Sequence, residues 1–76
     1  MIKFKRIDTG EYISEDDRFH ILHTWDVIHG NHWVLFDNAI NDYYKRQHHY
    51  YTLKECKSVA NRIIFNEKLY KCLNWK

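Results

Sequence analysis

Thr52, followed three residues later by Glu55, constrains this chain more than any other feature. The threonine hydroxyl can accept from the Glu55 amide while the carboxylate reaches back to the Thr52 amide, a capping box that starts a helix. At roughly 100° per residue, Leu53, Cys56, Val59, Ala60, Ile63 and Ile64 fall on one side, and Lys54, Lys57, Ser58, Asn61 and Arg62 on the other. One face is core and the other is wet and basic. A helix is therefore expected over about residues 53–65, and everything before Thr52 has to supply the surface that its apolar stripe packs against.

That surface reads as strands. Ile2 and Phe4 alternate with Lys3 and Lys5, which is the strand period with one face solvated. Strands are expected at about 2–8, 11–14, 18–25 and 32–37, with a short edge strand at 49–51. Thr9-Gly10 is a bend or bulge, Glu15-Asp16-Asp17 a hairpin turn, and His29-Gly30-Asn31 a second turn. Phe19, Ile21, Trp33 and Leu35 are expected under the helix, and Arg18, His20, Leu22, Val34 and Phe36 on the outward face. With only Arg18 reliably charged there, that face is poorly suited to a DNA groove. Coverage by Lys3, Lys5 and the N-terminal strand, or by a partner, is expected instead. The fold class is α+β: a three- to four-stranded antiparallel sheet on one C-terminal helix, with a helical or folded-back tail at 66–76.

At 76 residues the chain makes one domain, 1–76, whose core is marginal because so short a chain buries only about 60% of its unfolded surface. Aromatic residues make up 17% of it, enough for a few large side chains to supply much of the burial. No apolar run approaches a membrane span and the N-terminal residues lack a secretory h-region, so no membrane association and a cytoplasmic location are expected. Cys56 on the core face and Cys72 in a polar tail read as free thiols rather than a disulfide. The net charge of +2 is unevenly divided: residues 1–42 carry four bases against eight acids, a balance of −4, and residues 43–76 carry eight against two, a balance of +6. Protonation of the six histidines would raise the total to +8.

Nothing after Ile64 stops the helix, since neither glycine nor proline follows. Continued to Leu73, it would be about 31 Å long and would overhang strands of five or six residues, which span about 17 to 20 Å. Phe65, Leu69 and Cys72 would then point away from the core stripe. A break near Asn66 with the tail folding back is the favoured expectation; the alternative is that Phe65, Leu69, Leu73 and Trp75 are presented to a partner.

Tyr12-x-Ser14-x-Asp16-x-Arg18-Phe19-x-Ile21, Trp33-x-Leu35-x-Asp37 and Thr52-Leu53-x-Glu55-x-Lys57-x-x-Ala60 together resemble a spacing found in small phage and mobile-element proteins of Gram-positive bacteria. The resemblance covers about residues 12–60. It implies antiparallel strands on one helix, as in integrase arm-binding domains, and some small phage proteins of this size inhibit host defence systems such as CRISPR-Cas nucleases. Two departures are visible: the usual Asp-Gly of the first turn is Asp16-Asp17, and the Tyr-rich loop from 38 to 49 is longer than the pattern has it.

For catalysis the sequence offers little. Ser14 sits beside a turn and Ser58 on the exposed helix face, with no histidine and carboxylate paired to either, so a non-enzyme without cofactor is expected. No metal is assigned: His20 and His23 fall on opposite strand faces, and although His29 and His32 flank a turn and could converge, no cysteine lies near. The acidic turn at 15–17 reads as solvated. The residues expected to bind a partner are Tyr43, Tyr44, Lys45, Arg46, His48 and Tyr50 in the loop, Lys54, Lys57 and Arg62 on the helix, and Phe65, Leu69 and Trp75 beyond it. Basic and aromatic residues of this kind suit a host protein or nucleoprotein complex, as an anti-CRISPR-like inhibitor would require, and equally DNA or RNA. A homodimer through residues 65–75 is a third expectation.

Overall fold

A computed structural model describes residues 2–42 and 45–73, side chains at 71–73 excepted. Five strands, β1 (Phe4–Asp8), β2 (Glu11–Ser14), β3 (Phe19–Asp26), β4 (Gly30–Asp37) and β5 (Gln47–Tyr50), precede a single helix, α1 (Leu53–Leu73). The strands pair antiparallel in chain order, β1-β2-β3-β4-β5. This is the expected α+β architecture with one strand more than the sequence reading counted in the sheet. The edge strand lies at Gln47–Tyr50, two residues earlier at its start than expected.

The turns follow from their residues. Gly10 takes φ 69°, and a Cβ there would stand 3.0 Å from His23 Cβ, so glycine serves both conformation and space. The register between β1 and β2 slips between Arg6 and Asp8, the irregularity expected at this bend. At the β2–β3 turn Asp17 adopts φ 62°, a left-handed conformation that aspartate tolerates better than most residues. Ser14 holds this turn: its buried Oγ donates to Asp16 Oδ1 (2.6 Å) and accepts from the Phe19 amide (2.9 Å).

The core lies between sheet and helix. Phe19, Ile21 and Leu35 are fully buried against Cys56 and Ala60, with Trp33, Tyr12, Tyr50, Leu53, Val59, Ile63 and Ile64 packed around them. Burying each of the three large aliphatic or aromatic side chains contributes roughly 1.5–3 kcal/mol. The helix starts where expected: the Glu55 amide donates to Thr52 Oγ1 (3.1 Å). The return arm of the box differs, because the Glu55 carboxylate accepts from the Thr52 hydroxyl (3.1 Å).

Three expectations are corrected. The helix does not break near Asn66; it runs unbroken to Leu73, 21 residues or about 31 Å, and no fold-back occurs among the described residues. Its core-lining residues nevertheless end at Ile64, so the last turns do overhang the sheet. Arg18 is not on the outward face. It precedes the first residue of β3, so strand alternation does not govern it, and its guanidinium turns to the helix side. There it donates to Asp37 through Nε (Oδ1, 2.9 Å) and Nη2 (Oδ2, 3.0 Å), and to Glu67 through Nη1 (Oε2, 2.8 Å) and Nη2 (Oε1, 2.6 Å). Nor does the N-terminal strand cover the outward face, since β1 extends the sheet at its β2 edge. Val34 is buried there among its neighbours in register, Leu22 on β3 and His49 on β5.

Candidate functional site

Two regions gather chemistry that the core does not use. The first is the projecting half of α1. Arg62, Phe65, Lys68 and Leu69 all face solvent, with Phe65 65% and Leu69 48% exposed. An open groove of about 710 Å³ runs along this face, lined by Ile2, Ser58, Asn61, Arg62, Ile64, Phe65 and Lys68. Asn61 shapes it: its Oδ1 accepts from the Ile2 amide (2.8 Å), and its Nδ2 donates to the Lys57 carbonyl one turn back (2.9 Å). The groove thus has an apolar floor and basic flanks.

The expected partner-binding residues separate in space. Lys54 and Arg62 are exposed as anticipated, whereas Lys57 is half-buried with its Nζ 5.2 Å from the centre of the Tyr12 ring, a cation–π contact with β2. Tyr50 packs against the core and His48 is half-buried opposite Leu35. Lys45 is exposed and Arg46 half-buried; the Arg46 carbonyl accepts from the Asp37 amide (2.9 Å). Tyr43, Tyr44 and Trp75 lie outside the described residues. Among the named residues, Arg62, Phe65 and Leu69 are brought together.

Cys56 is fully buried as expected, and that burial pushes its thiol up to about 11, which removes it as a nucleophile at neutral pH. Ser14 Oγ is committed to its turn.

The second region lies on the outward face, at the tip of the β3–β4 hairpin, and brings together histidines to which the sequence reading assigned no role. Asp26 closes β3, His29 sits in the turn, His32 follows on β4, and His49 comes from β5. Asp26 Oδ1 accepts from the His29 amide (2.6 Å), and His29 Nδ1 stands 3.1 Å from Asp26 Oδ2. His32, only 2% exposed, has its Nε2 3.0 Å from His49 Nδ1 and 3.6 Å from Asp26 Oδ2. The His29 and His49 rings stack at 5.6 Å. The His29 amide, followed by the neighbouring imidazoles, holds the Asp26 carboxyl below its ordinary range. Burial against the cleft, and then the proximity of His32 and His29, hold His49 below the usual imidazole value. The spacing Asp26-x-x-His29-x-x-His32 across a glycine-containing turn was the available signal; His49 became a neighbour only through the β4–β5 register.

No helix among the described residues is long and apolar enough to cross a membrane. No protein-family model, curated protein or solved structure matches the chain.

Proposed function

We propose that this chain is a small, non-enzymatic binding protein that docks an acidic protein surface on the projecting half of α1. In keeping with its resemblance to small phage proteins, the partner belongs to a nucleic-acid-handling defence complex of the host, which the chain inhibits in the host cytoplasm. The observation that carries the reading is the placement of exposed Phe65 and Leu69 near Arg62 and Lys68, on a helix half beyond the last core-lining residue. An aromatic anchor at the centre with charge at the rim is the composition of a protein interface, and desolvating Phe65 supplies what a rim charge alone does not.

The nucleic-acid reading draws on Lys54, Arg62 and Lys68 along the same exposed face. Phe65 and Leu69 between the latter bases favour protein over phosphate backbone. A homodimer through the same face is the other way to cover them.

The test uses the full chain, tagged, against lysate of a susceptible host, with the recovered complex assayed for nuclease activity. Expected is recovery of a defence nuclease complex, inhibition of its cleavage, and loss of both in Phe65→Ala/Leu69→Ala, whose fold is checked by circular dichroism. Equal recovery by the double variant, or recovery without inhibition, overturns the proposal. Binding to DNA or RNA that weakens by about one unit of log–log salt slope per phosphate contact would replace it with the nucleic-acid reading. A concentration-dependent mass abolished by the double variant would replace it with self-association.

A further inference from the structure

The geometry of Asp26, His29, His32 and His49 points to a binding site for a zinc-class dication, and we propose that such an ion ties the β3–β4 turn to the edge strand β5. Zinc takes imidazole nitrogen at about 2.0–2.1 Å and carboxylate oxygen at similar length, in tetrahedral array. Ligand atoms on such a tetrahedron lie about 3.3–3.4 Å apart. The contacts here bracket that edge: 3.1 Å from His29 Nδ1 to Asp26 Oδ2, 3.6 Å from Asp26 Oδ2 to His32 Nε2, and 3.0 Å from His32 Nε2 to His49 Nδ1. The ligand atoms of Asp26, His29 and His32 all lie within 4.8 Å of one another.

His32 supplies the second observation. It is nine-tenths buried and more, and its Nδ1 lies 3.0 Å from the Gly30 carbonyl, so that nitrogen carries the proton and donates it. The tautomer leaves Nε2 without a proton and aimed into the cluster, where its neighbour is His49 Nδ1, and a backbone acceptor holding the far nitrogen is the usual support for a metal-bound imidazole. Hydrogen bonds satisfy the imidazoles but place no cation beside the Asp26 carboxylate. If His49 Nδ1–H donates to His32 Nε2, that nitrogen and Asp26 Oδ2 face each other at 3.6 Å with lone pairs and no proton between them. A cation bound by all four groups removes that opposition. A small cleft of about 80 Å³, lined by His29, His32, His49, Tyr50 and Tyr51, gives access from solvent.

The donor set selects the ion. Three nitrogens and one carboxylate suit zinc and its transition-metal neighbours, while magnesium and calcium require oxygen. Asp26, His29 and His32 converge on one point and His49 flanks them, touching the set through His32 Nε2, so the ion draws His49 in from β5 as its fourth ligand and the site is structural. The ion closes the 17-position separation between His32 and His49 and fixes the turn that carries the exposed side chains of Val27 and Ile28. The site stands on a different face from the helix groove and does not depend on the function proposed for it.

Calorimetric titration of the metal-free full chain with zinc chloride, and visible spectroscopy with cobalt(II) chloride, test it. Expected are one equivalent of zinc bound, the intense absorption of tetrahedral cobalt, and a zinc-dependent rise in melting temperature that magnesium does not reproduce. His29→Ala and His49→Ala, both at exposed positions, should each weaken zinc binding by about 100-fold or more, whereas His20→Ala and His23→Ala should leave it unchanged. Absence of saturable zinc binding overturns the proposal. So does wild-type affinity in both His29→Ala and His49→Ala, or an equal loss in His20→Ala.

Discussion

The Arg18 guanidinium and the Glu67 carboxylate meet across 49 positions of sequence, Nη2 to Oε1 at 2.6 Å, and join the start of β3 to the part of the helix that has outrun the core. The same guanidinium is bidentate to Asp37, whose side chain is 1% exposed. One cation therefore serves a buried anion and a half-exposed one, and the two contacts differ in energetic weight.

Removing Arg18 strands the Asp37 charge in a buried position, whereas removing Glu67 breaks a contact whose acid is 46% exposed. Arg18→Ala should destabilise by about 3 kcal/mol or more, and Glu67→Gln by no more than about 1 kcal/mol. Urea unfolding of the two variants checks the difference; equal losses would mean that the helix contact, not the buried pair, carries the stability.

Acid should act through the same carboxylate. Burial raises the Asp37 pKa, but the Arg18 hydrogen bonds and the Ala39 amide more than offset it, and the carboxyl is held below its ordinary 3.8. Asp16, held by the Ser14 hydroxyl and then the Arg18 amide, is lowered likewise. A depressed carboxyl stabilises the fold above its unfolded pKa and loses that contribution as pH falls through the folded value. Stability should therefore be level in these two groups above about pH 4 and fall below it. Asp37→Asn should flatten the fall, as followed by thermal melts at stepped pH.

Ser14→Ala removes the acceptor of the buried Phe19 amide and the donor to Asp16. A loss of about 1–3 kcal/mol is expected, the cost of leaving a buried donor unsatisfied, with a rise in the Asp16 pKa measurable by NMR titration. A loss within about 0.5 kcal/mol would show that water replaces the hydroxyl.

Asp17→Gly should stabilise the turn. Asp17 holds φ 62°, a conformation that costs a side-chain-bearing residue about 1 kcal/mol and glycine almost nothing, set against glycine's larger unfolded-state entropy. A gain of up to about 0.5 kcal/mol is the expected balance, read from denaturant midpoints at constant m-value.

The elements were legible because their signals are local. Thr52 and Glu55 place the helix start through one hydroxyl and one carboxylate, and the period of Leu53, Cys56, Ala60 and Ile63 selects the face that meets Phe19, Ile21 and Leu35. The turn at Asp16-Asp17 and the bend at Thr9-Gly10 likewise reside in adjacent residues. The helix end was not legible. No residue near Asn66 forbids continuation, and the contact that holds the extra turns, Glu67 to Arg18, joins residues that no local period relates. Arg18 itself was misplaced because alternation was extended one residue before the strand begins.

The exposed Arg62, Phe65 and Leu69 follow from the helical period once the helix continues, so the sequence by itself determined that surface up to the single question of where the helix stops. The joining of His49 to the turn histidines was decided by tertiary structure alone. A strand period places His32 and His49 only relative to their own strands; the β4–β5 register brings His49 beside Val34 and, diagonally, within 3.0 Å of His32. Side-chain chemistry within a turn or a helical repeat is written in neighbouring residues, but coordination across strands requires the hydrogen-bonded register that only the folded sheet sets.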